Sequence, residues 1–185
     1  MVDIETTSTE PDRGAIIQIA AWKFDLQTFQ VDPLFFDQCL WMPAWRYWNK
    51  DTEAFWKKQK PETLQDIFAR MEDPRIVMQR FVDWVGQSNS FRFWSKPTHF
   101  DYTFLSSYFK DFDLPQMFHY REATDMNSFI RARYYPGPVP QIDIPFDGPV
   151  HNALWDSLHQ IQTLFAHYSG TLKNDDTAGT GQEAA

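Results

Sequence analysis

Three apolar runs in the first 41 residues constrain the fold more than any other feature of this sequence. They cover Met1–Ile4, Ala15–Phe24 and Leu34–Trp41, and polar, turn-forming residues separate them. Strands joined by such short connections pair antiparallel, because a parallel pair needs a longer crossover. The runs therefore predict a β-meander at the start of the chain, and a mixed sheet once later strands join it.

Helical patterns follow this meander, so the sequence predicts an α/β protein with a mixed central sheet flanked by helices. Apolar residues at spacings of three and four and proline at first helical positions indicate these helices. Asp51 is the predicted N-cap of the first helix. The predicted elements are helices over Thr52–Gln59, after Pro61 and from Pro74 to about Gln87, a strand over Phe91–Trp94, and helices over Tyr102–Phe109 and from about His151 to Gly170.

Length and composition indicate one folded domain with a polar tail. A chain of 185 residues with 43% hydrophobic residues is long enough for one substantial core and short for two. Residues 134–150 contain five prolines and two glycines, which predicts a long loop without regular structure. Residues after Lys173 are small, polar or acidic. We therefore predict a domain over residues 1–170 and a disordered tail over residues 171–185.

Charge and cysteine content limit the kinds of partner and compartment. The formal net charge of −8 argues against a broad basic surface for nucleic acid, so an enzyme acting on nucleic acid would need bound cations. The single cysteine, Cys39, excludes an internal disulfide and fits a reducing compartment. No apolar run reaches membrane-spanning length, and Asp3 and Glu5 stand where a signal peptide needs positive charge. These features predict a cytoplasmic protein without a membrane partner.

Asp3 and Glu5 are the first candidate site residues. They are two positions apart on a predicted strand, so their side chains leave the same face with α-carbons about 6.6 Å apart. A solvated strand face is the alternative explanation, but it fits poorly with a strand expected at the centre of a sheet. Two like charges there cost free energy unless cations or protons neutralise them. Carboxylate oxygens favour Mg²⁺ or Mn²⁺ over zinc.

Asp101, His151 and Asp156 are further candidates because of their places along the predicted elements. Asp101 lies near the start of a helix that follows a predicted strand, although a charge favoured by the helix dipole explains it equally well. Five positions along a helix correspond to about 140° of rotation, so His151 and Asp156 cannot share a helical face. His151 is therefore predicted at or before the first turn of the last helix. The other histidines are predicted to be structural: His99, His119, His159 and His167.

Three segments carry a resemblance to a known enzyme superfamily. They are residues 2–7 (VDIETT), 100–105 (FDYTFL) and 151–156 (HNALWD), in this order. They resemble the three exonuclease motifs of the DEDDh, or DnaQ-like, 3′-5′ exonuclease superfamily, and the spacing of His151 and Asp156 is that of its histidine subclass. Residues 46–59 (RYWNKDTEAFWKKQ) and the strand around Trp94 resemble the branch of the phage exonuclease A and mycobacterial exoribonuclease-like proteins.

The resemblance implies a ribonuclease H-like fold and a two-metal-ion exonuclease that releases nucleoside 5′-monophosphates. It implies one Mg²⁺ between Asp3, Glu5 and Asp156 and a second held mainly by Asp3 and Asp101, with Mn²⁺ able to substitute. One ion would lower the pKa of a water, the other would stabilise the departing 3′ oxygen, and His151 would be the general base. Two divalent ions then balance four carboxylates, which removes the objection raised by the acidic net charge.

Two further pairs of residues are predicted to bind substrate. In the superfamily the residues just after the first motif hold the 3′-terminal nucleotide, which implies this role for Thr6 and Thr7. Ser8 stands where the superfamily commonly has glycine, which alters how closely the backbone can approach that nucleotide. Arg131 and Arg133 precede the proline-rich segment and, with neighbouring tyrosines, form a candidate clamp. A solvated helix end explains these two arginines equally well.

Three functions are consistent with the motifs. The first is a 3′-5′ exonuclease on single-stranded DNA or short RNA, since a 3′ end must be threaded into a pocket. The second is an inactive exonuclease-like domain that only binds nucleic acid or a polymerase, against which the presence of all five motif residues argues. The third is the proofreading subunit of a polymerase. The sequence leaves open a homodimer, a polymerase partner and a natural N-terminus upstream of Met1.

Overall fold

A computed structural model describes residues 1–86 and 91–178, with side chains up to residue 169. The strands are β1 (Val2–Thr6), β2 (Ile16–Ala21), β3 (Phe24–Asp25), β4 (Gln30–Val31), β5 (Phe36–Leu40), β6 (Met71–Glu72), β7 (Trp94–Ser95) and β8 (Thr124–Asp125). The helices are α1 (Lys50–Trp56), α2 (Pro61–Ala69), α3 (Pro74–Val85), α4 (Thr98–Asp111), α5 (Met126–Tyr134) and α6 (Ala153–Ala178). These elements confirm the predicted α/β class.

The main sheet has four strands in the order β1-β2-β5-β6. β1, β2 and β5 pair antiparallel, which is the meander predicted from the three apolar runs. β5 and β6 pair parallel, so the sheet is mixed, as predicted. β3 and β4 form a short antiparallel pair, and β7 pairs parallel with β8 and contacts β1. β1 therefore pairs with β2 and also contacts β7, the strand that leads into α4.

Helices pack against both faces of this sheet and give β1 two different surroundings. Val2 and Ile4 pack with α3 and α4 in an apolar core that includes Phe81. Because side chains alternate along a strand, Asp3 and Glu5 point to the opposite face, against which α6 packs. The burial of the apolar residues of β1 thus fixes the direction of its two acidic side chains.

The structure corrects the predicted start of the first helix. α1 begins at Lys50, and its N-cap is Asn49, whose side-chain oxygen accepts a hydrogen bond of 2.8 Å from the backbone nitrogen of Asp51. The prediction that Asp51 is the N-cap is therefore wrong, since this residue lies inside the first turn. The backbone nitrogen of Asn49 also donates to the carbonyl of Thr7 at 2.9 Å. A tertiary contact with the loop after β1 thus fixes where the helix starts.

Other element boundaries differ from the predictions by a few residues. α4 begins at Thr98, four residues before its predicted start, and β7 begins where the predicted strand ends, at Trp94. α3 ends at Val85, before Gly86 with its φ of 75°, while the predicted end near Gln87 lies outside the described residues. Residues 135–150 contain no helix or strand, as the prolines and glycines predict.

α6 runs to Ala178, so the prediction that the last helix ends by Gly170 is wrong. A single glycine inside a helix costs only about 1 kcal/mol relative to alanine, and Leu172 and Lys173 favour helix. The predicted tail over residues 171–185 thus begins with helical residues, while residues 179–185 lie outside the described chain. The boundary between a domain over residues 1–170 and a tail stays a prediction. Neither α6 nor any other helix of the described residues combines the length and apolarity needed to cross a membrane.

A bulge between β1 and β2 lies directly beside the acidic residues. The register shifts between Glu5 and Thr6, which pair with Gln18 and Ile16. At this shift the backbone nitrogen of Ile16 donates a hydrogen bond of 2.9 Å to the hydroxyl of Tyr108, and both groups are buried. Tyr108 therefore joins α4 to the strand that neighbours β1.

Tyr108→Phe is expected to lower the free energy of unfolding by about 1–3 kcal/mol, because the buried N–H of Ile16 loses its acceptor while the ring remains. Urea denaturation followed by circular dichroism measures this loss. Tyr120→Phe is the matched control, since Tyr120 is 62% exposed and its hydroxyl accepts a hydrogen bond from the exposed side chain of Arg121. Equal denaturation midpoints for Tyr108→Phe and the wild-type chain would contradict this role of Tyr108.

Candidate active site

β1 presents two carboxylates on the face of the sheet that α6 covers. Asp3 and Glu5 are half-buried and alternate with the core residues Val2 and Ile4. Oδ1 of Asp3 accepts a hydrogen bond of 2.8 Å from the side-chain nitrogen of Gln160 on α6. The strand therefore fixes the backbone of both acidic residues, and a helix residue orients one of them.

α4 adds Asp101 from its first turn. This residue is 2% exposed. Burial raises the pKa of its carboxyl, and the neighbouring Ser95 side chain and Ile4 backbone oppose this rise. Its Oδ2 atom is buried and has no hydrogen-bond partner among the described residues. A buried carboxylate oxygen without a donor is unfavourable unless a cation or another polar group meets it.

The first turn of α6 carries Asp156, and a buried polar cluster fixes the start of this helix. The side-chain oxygen of Asn152 accepts a hydrogen bond of 3.2 Å from the backbone nitrogen of Leu154. Gln18 of β2 is fully buried, and its side-chain oxygen accepts a hydrogen bond of 3.1 Å from the backbone nitrogen of Ala153. The cluster therefore anchors the start of α6, and with it Asp156, to the strand next to β1.

His151 lies two residues before α6, as predicted, in a rare backbone conformation. Its φ of 60° is in the left-handed region that residues other than glycine seldom adopt. Its half-buried ring packs edge-on against Phe55 and Trp56 of α1, with centroid distances of 5.0 and 6.5 Å. A ring nitrogen of His151 and carboxylate oxygens of Glu5 and Asp156 lie within 4.8 Å of one another. Packing against α1 therefore holds the imidazole beside the acidic residues.

Burial raises the pKa values of all four carboxylates, and repulsion by the other carboxylates raises those of Asp3 and Glu5 further. Burial raises the pKa of Asp3 well above its usual range, and the charges of Asp101, Glu5 and Asp156 raise it further. Burial, followed by the charges of Asp156 and Asp101, raises the pKa of Glu5. Burial also raises the pKa of Asp101 to about 7 and raises that of Asp156, which the charge of His151 opposes. The structure thus brings all four acidic residues of the motifs close enough to repel one another.

This set of side chains fits divalent cations. Four carboxylates in one poorly solvated site carry negative charge that bound cations can balance. Carboxylate oxygens are hard ligands, which suit Mg²⁺ and Mn²⁺. The group formed by Glu5, His151 and Asp156 also contains a ring nitrogen. The imidazole is thus placed either to bind a cation or to exchange a proton with a group that the carboxylates hold.

Three residues that the motifs do not contain line the same pocket, which has a volume of about 300 Å³. Lys96 stands just before α4, while His159 and Gln160 lie about one turn after Asp156 on α6. His159 was predicted to be structural. Besides lining the pocket, it joins α6 to the proline-rich segment, because its ring nitrogen lies 3.1 Å from the carbonyl of Ile144. Spacings of three and four positions from Asp156 are the only sequence signal for the two helical residues.

Thr6 and Thr7, predicted to hold the terminal nucleotide, lie at the end of β1, and both hydroxyls form internal hydrogen bonds. The Thr6 hydroxyl donates to the carbonyl of Ser8 at 2.8 Å. Thr7 is fully buried, and its hydroxyl donates to the carbonyl of Tyr47 and accepts from the backbone nitrogen of Ala15, both at 2.7 Å. The two hydroxyls therefore shape the loop after β1, and their contact with a nucleotide stays a prediction.

Residues 46–56 stabilise the loop after β1 through side-chain hydrogen bonds to its backbone. The buried side chain of Arg46 donates to the carbonyls of Pro11 and Gly14 at 2.9 and 2.6 Å. The indole nitrogen of Trp56 donates to the carbonyl of Thr6 at 3.0 Å. This segment lies within the stretch that resembles the phage and mycobacterial branch, and its structural contribution is to fix the end of β1 next to the carboxylates.

Arg131 and Arg133, the predicted clamp, lie on α5 and are not brought to the carboxylates. The guanidinium of Arg133 lies over the ring of Tyr168 on α6, 4.3 Å from its centroid. Tyr168 follows Asp156 by three turns of helix, which corresponds to about 18 Å along the helix axis. Arg131 is exposed on the same short helix. Their role in substrate binding stays a prediction.

Solved exonuclease structures share this fold. E. coli exonuclease I in complex with a 5cy-dA13 oligonucleotide has a TM-score of 0.66 and 17% identity, covering 92% of this chain and 39% of that protein. Cell-death related nuclease 4 (CRN-4) has a TM-score of 0.61 and 17% identity, and the match covers 96% of this chain and 63% of that protein. A product-bound exonuclease I has a TM-score of 0.64 and 15% identity, and the match covers 94% of this chain and 42% of that protein. The similarity confirms the predicted ribonuclease H-like fold, and this chain spans less than two thirds of each of these proteins.

A family of domains matches nearly the whole chain. No curated protein matches it in sequence. The family described as the 3′-5′ exoribonuclease Rv2179c-like domain matches residues 1–167, a range that contains β1, α4 and the start of α6 with their four acidic residues. This match confirms the resemblance drawn from the three motifs. The chain therefore belongs to the family of Rv2179c-like 3′-5′ exoribonuclease domains.

Proposed function

We propose that this chain is a metal-dependent exonuclease that removes nucleotides from the 3′ end of a single strand and releases nucleoside 5′-monophosphates. One observation carries the proposal: the convergence of Asp3, Glu5, Asp101 and Asp156, all with raised pKa values, beside His151. Membership of an exoribonuclease family supports the direction of digestion. The oligonucleotide in the structure of E. coli exonuclease I supports a single strand as the partner.

The four carboxylates are the proposed ligands of two divalent cations. Asp3, Glu5 and Asp156 form one set, and Asp3 and Asp101 form the other, with Mg²⁺ as the proposed ion and Mn²⁺ as its substitute. When bound, such ions supply charge neutralisation, a water of lowered pKa and a Lewis acid for the leaving oxygen. The chain contributes a rigid arrangement of ligands, because a paired strand and two helix starts hold the backbone of these residues.

His151 is the proposed general base. One of its ring nitrogens takes a proton from the attacking water, whose oxygen forms a bond to the terminal phosphorus. The bond from that phosphorus to the 3′ oxygen of the preceding nucleotide then breaks, and this oxygen takes up a proton from solvent. The products are a nucleoside 5′-monophosphate and a shortened strand with a free 3′ hydroxyl. Packing against Phe55 and Trp56 limits the rotation of the imidazole during this transfer.

Nucleic acid is the proposed partner, and the cytoplasm is the proposed compartment. Cys39 is buried, and burial raises the pKa of its thiol to about 12, so the chain has no readily ionised thiol to form a disulfide. This agrees with a reducing compartment. A homodimer and a polymerase partner stay predictions from the sequence.

His151→Asn is expected to lower kcat by about 10²–10⁴-fold, because it removes the base. Asparagine tolerates a positive φ, so this variant keeps the backbone conformation that alanine would disfavour. Shortening of a 5′-labelled oligonucleotide in Mg²⁺ measures the rate. His119→Asn is the matched control, because His119 is exposed and lies outside the pocket.

The same assay tests the metal requirement and the proposed function itself. A chelator should abolish shortening of the strand, Mg²⁺ or Mn²⁺ should restore it, and Asp156→Asn should remain inactive in both. A wild-type chain that binds the oligonucleotide and shortens it in neither metal would instead be an inactive binding domain.

The metal-free fold is expected to lose stability as the pH rises from about 4 to about 7. The pKa of Asp101 is about 7 in the folded chain, against about 4 in an unfolded one, so the folded state binds more protons within this window. Stability then falls with rising pH. Melting temperatures in chelator at about pH 5 and about pH 8 measure the fall, and Mn²⁺ should reverse it at the higher pH. An equal fall in Asp101→Asn would exclude this carboxylate as a cause.

RNA is the proposed substrate, because the family is one of exoribonuclease domains. RNA and DNA strands of one sequence, each labelled at the 5′ end, should be shortened at different initial rates, with RNA the faster. The 2′-hydroxyl can donate and accept a hydrogen bond, which gives the protein a means of distinguishing the two. Faster shortening of DNA would assign the chain to DNA instead.

A further inference from the structure

Gln160 lies inside the acidic site, one helical turn after Asp156. Its side chain is 8% exposed. Its Nε2 donates a hydrogen bond of 2.8 Å to Oδ1 of Asp3, the residue proposed to bind both cations. Gln160 therefore joins the helix that carries one proposed ligand to the strand that carries two others.

The amide of Gln160 has one orientation that suits an ionised site. A carboxylate only accepts hydrogen bonds, so the amide nitrogen must face Asp3. This orientation leaves Oε1 of Gln160 buried and without a hydrogen-bond partner among the residues that the structure describes. A buried carbonyl oxygen without a donor is unfavourable. Gln160 thus combines a hydrogen bond to Asp3 with an unfavourable unpaired oxygen, which indicates that the bond to Asp3 has a function.

We propose that Gln160 is a positioning residue that holds the carboxylate of Asp3 in the orientation that binds divalent cations. Glu5, Asp101 and Asp156 repel this carboxylate, and the hydrogen bond from Gln160 opposes its rotation. Hydrogen bonds from outside a metal site orient its ligands and raise its affinity. The inference rests on the proposed function and adds to it a residue that none of the three motifs contains.

Binding of Mn²⁺ to the whole chain, without substrate, tests this inference. Electron paramagnetic resonance of free Mn²⁺ gives the dissociation constant. Gln160→Met keeps the length of the side chain and removes the amide, and it is expected to raise this constant by about 10–100-fold. Gln162→Met is the matched control, because Gln162 is exposed on the same helix, and it should bind Mn²⁺ as the wild-type chain does. Gln160→Leu supplies the same comparison should the Met variant fail to fold.

A double-mutant cycle with Asp3→Asn separates positioning from packing. If Gln160 acts through Asp3, then adding Gln160→Met to Asp3→Asn changes the dissociation constant far less than in the wild-type background. Wild-type affinity in Gln160→Met, or an equal loss in both backgrounds, overturns the inference. Neither result touches the proposed function, which fails only if the wild-type chain itself does not bind Mn²⁺ or does not shorten a labelled strand.

Discussion

Repulsion among four carboxylates is the interaction on which the rest of this structure depends. Burial raises the pKa of each one, and the other three raise that of Asp3 further. Such groups do not attract one another, so the surrounding structure must hold them together. The strand ladder does this for Asp3 and Glu5, and the starts of two helices do it for the others. The unfavourable energy of the metal-free site is also what favours the binding of cations.

Two helix starts partly offset the energy of this repulsion by stabilising a carboxylate each. Asp101 and Asp156 each lie in the first turn of a helix, where the partial positive charge of the N-terminus favours a carboxylate. The helix-dipole explanation of Asp101 is therefore compatible with its proposed role as a metal ligand, because one position at the start of a helix suits both. Gln18 and Asn152 hold the start of α6 through hydrogen bonds that involve no cation. The geometry of the site can thus form before any ion binds.

The acidic residues could be predicted from the sequence because each stands in a local pattern, while the residues that support them could not. Gln18 bonds to Ala153, and Gln160 bonds to Asp3. The partners of each pair are more than 130 positions apart in the sequence, so no local spacing predicts either hydrogen bond. For Gln18, the local signal was its position as a polar residue within the buried apolar run Ile16–Ala21. The start of α1 was missed for a similar reason, since a backbone hydrogen bond to the loop after β1 fixes it. The length of α6 was missed because one glycine costs too little to end a helix.

In the proposed function, the acidic net charge couples the binding of nucleic acid to the binding of cations. With two divalent ions bound, as proposed, the formal net charge of −8 is halved, and the change falls where a terminal phosphate must lie. Without them the four carboxylates would repel that phosphate. Among the described residues that line the pocket, Lys96 is the one lysine or arginine, so the positive charge of side chains alone does not offset the four carboxylates. In the proposed function, bound cations therefore supply the attraction for a phosphate at the point of cleavage, without a broad basic surface.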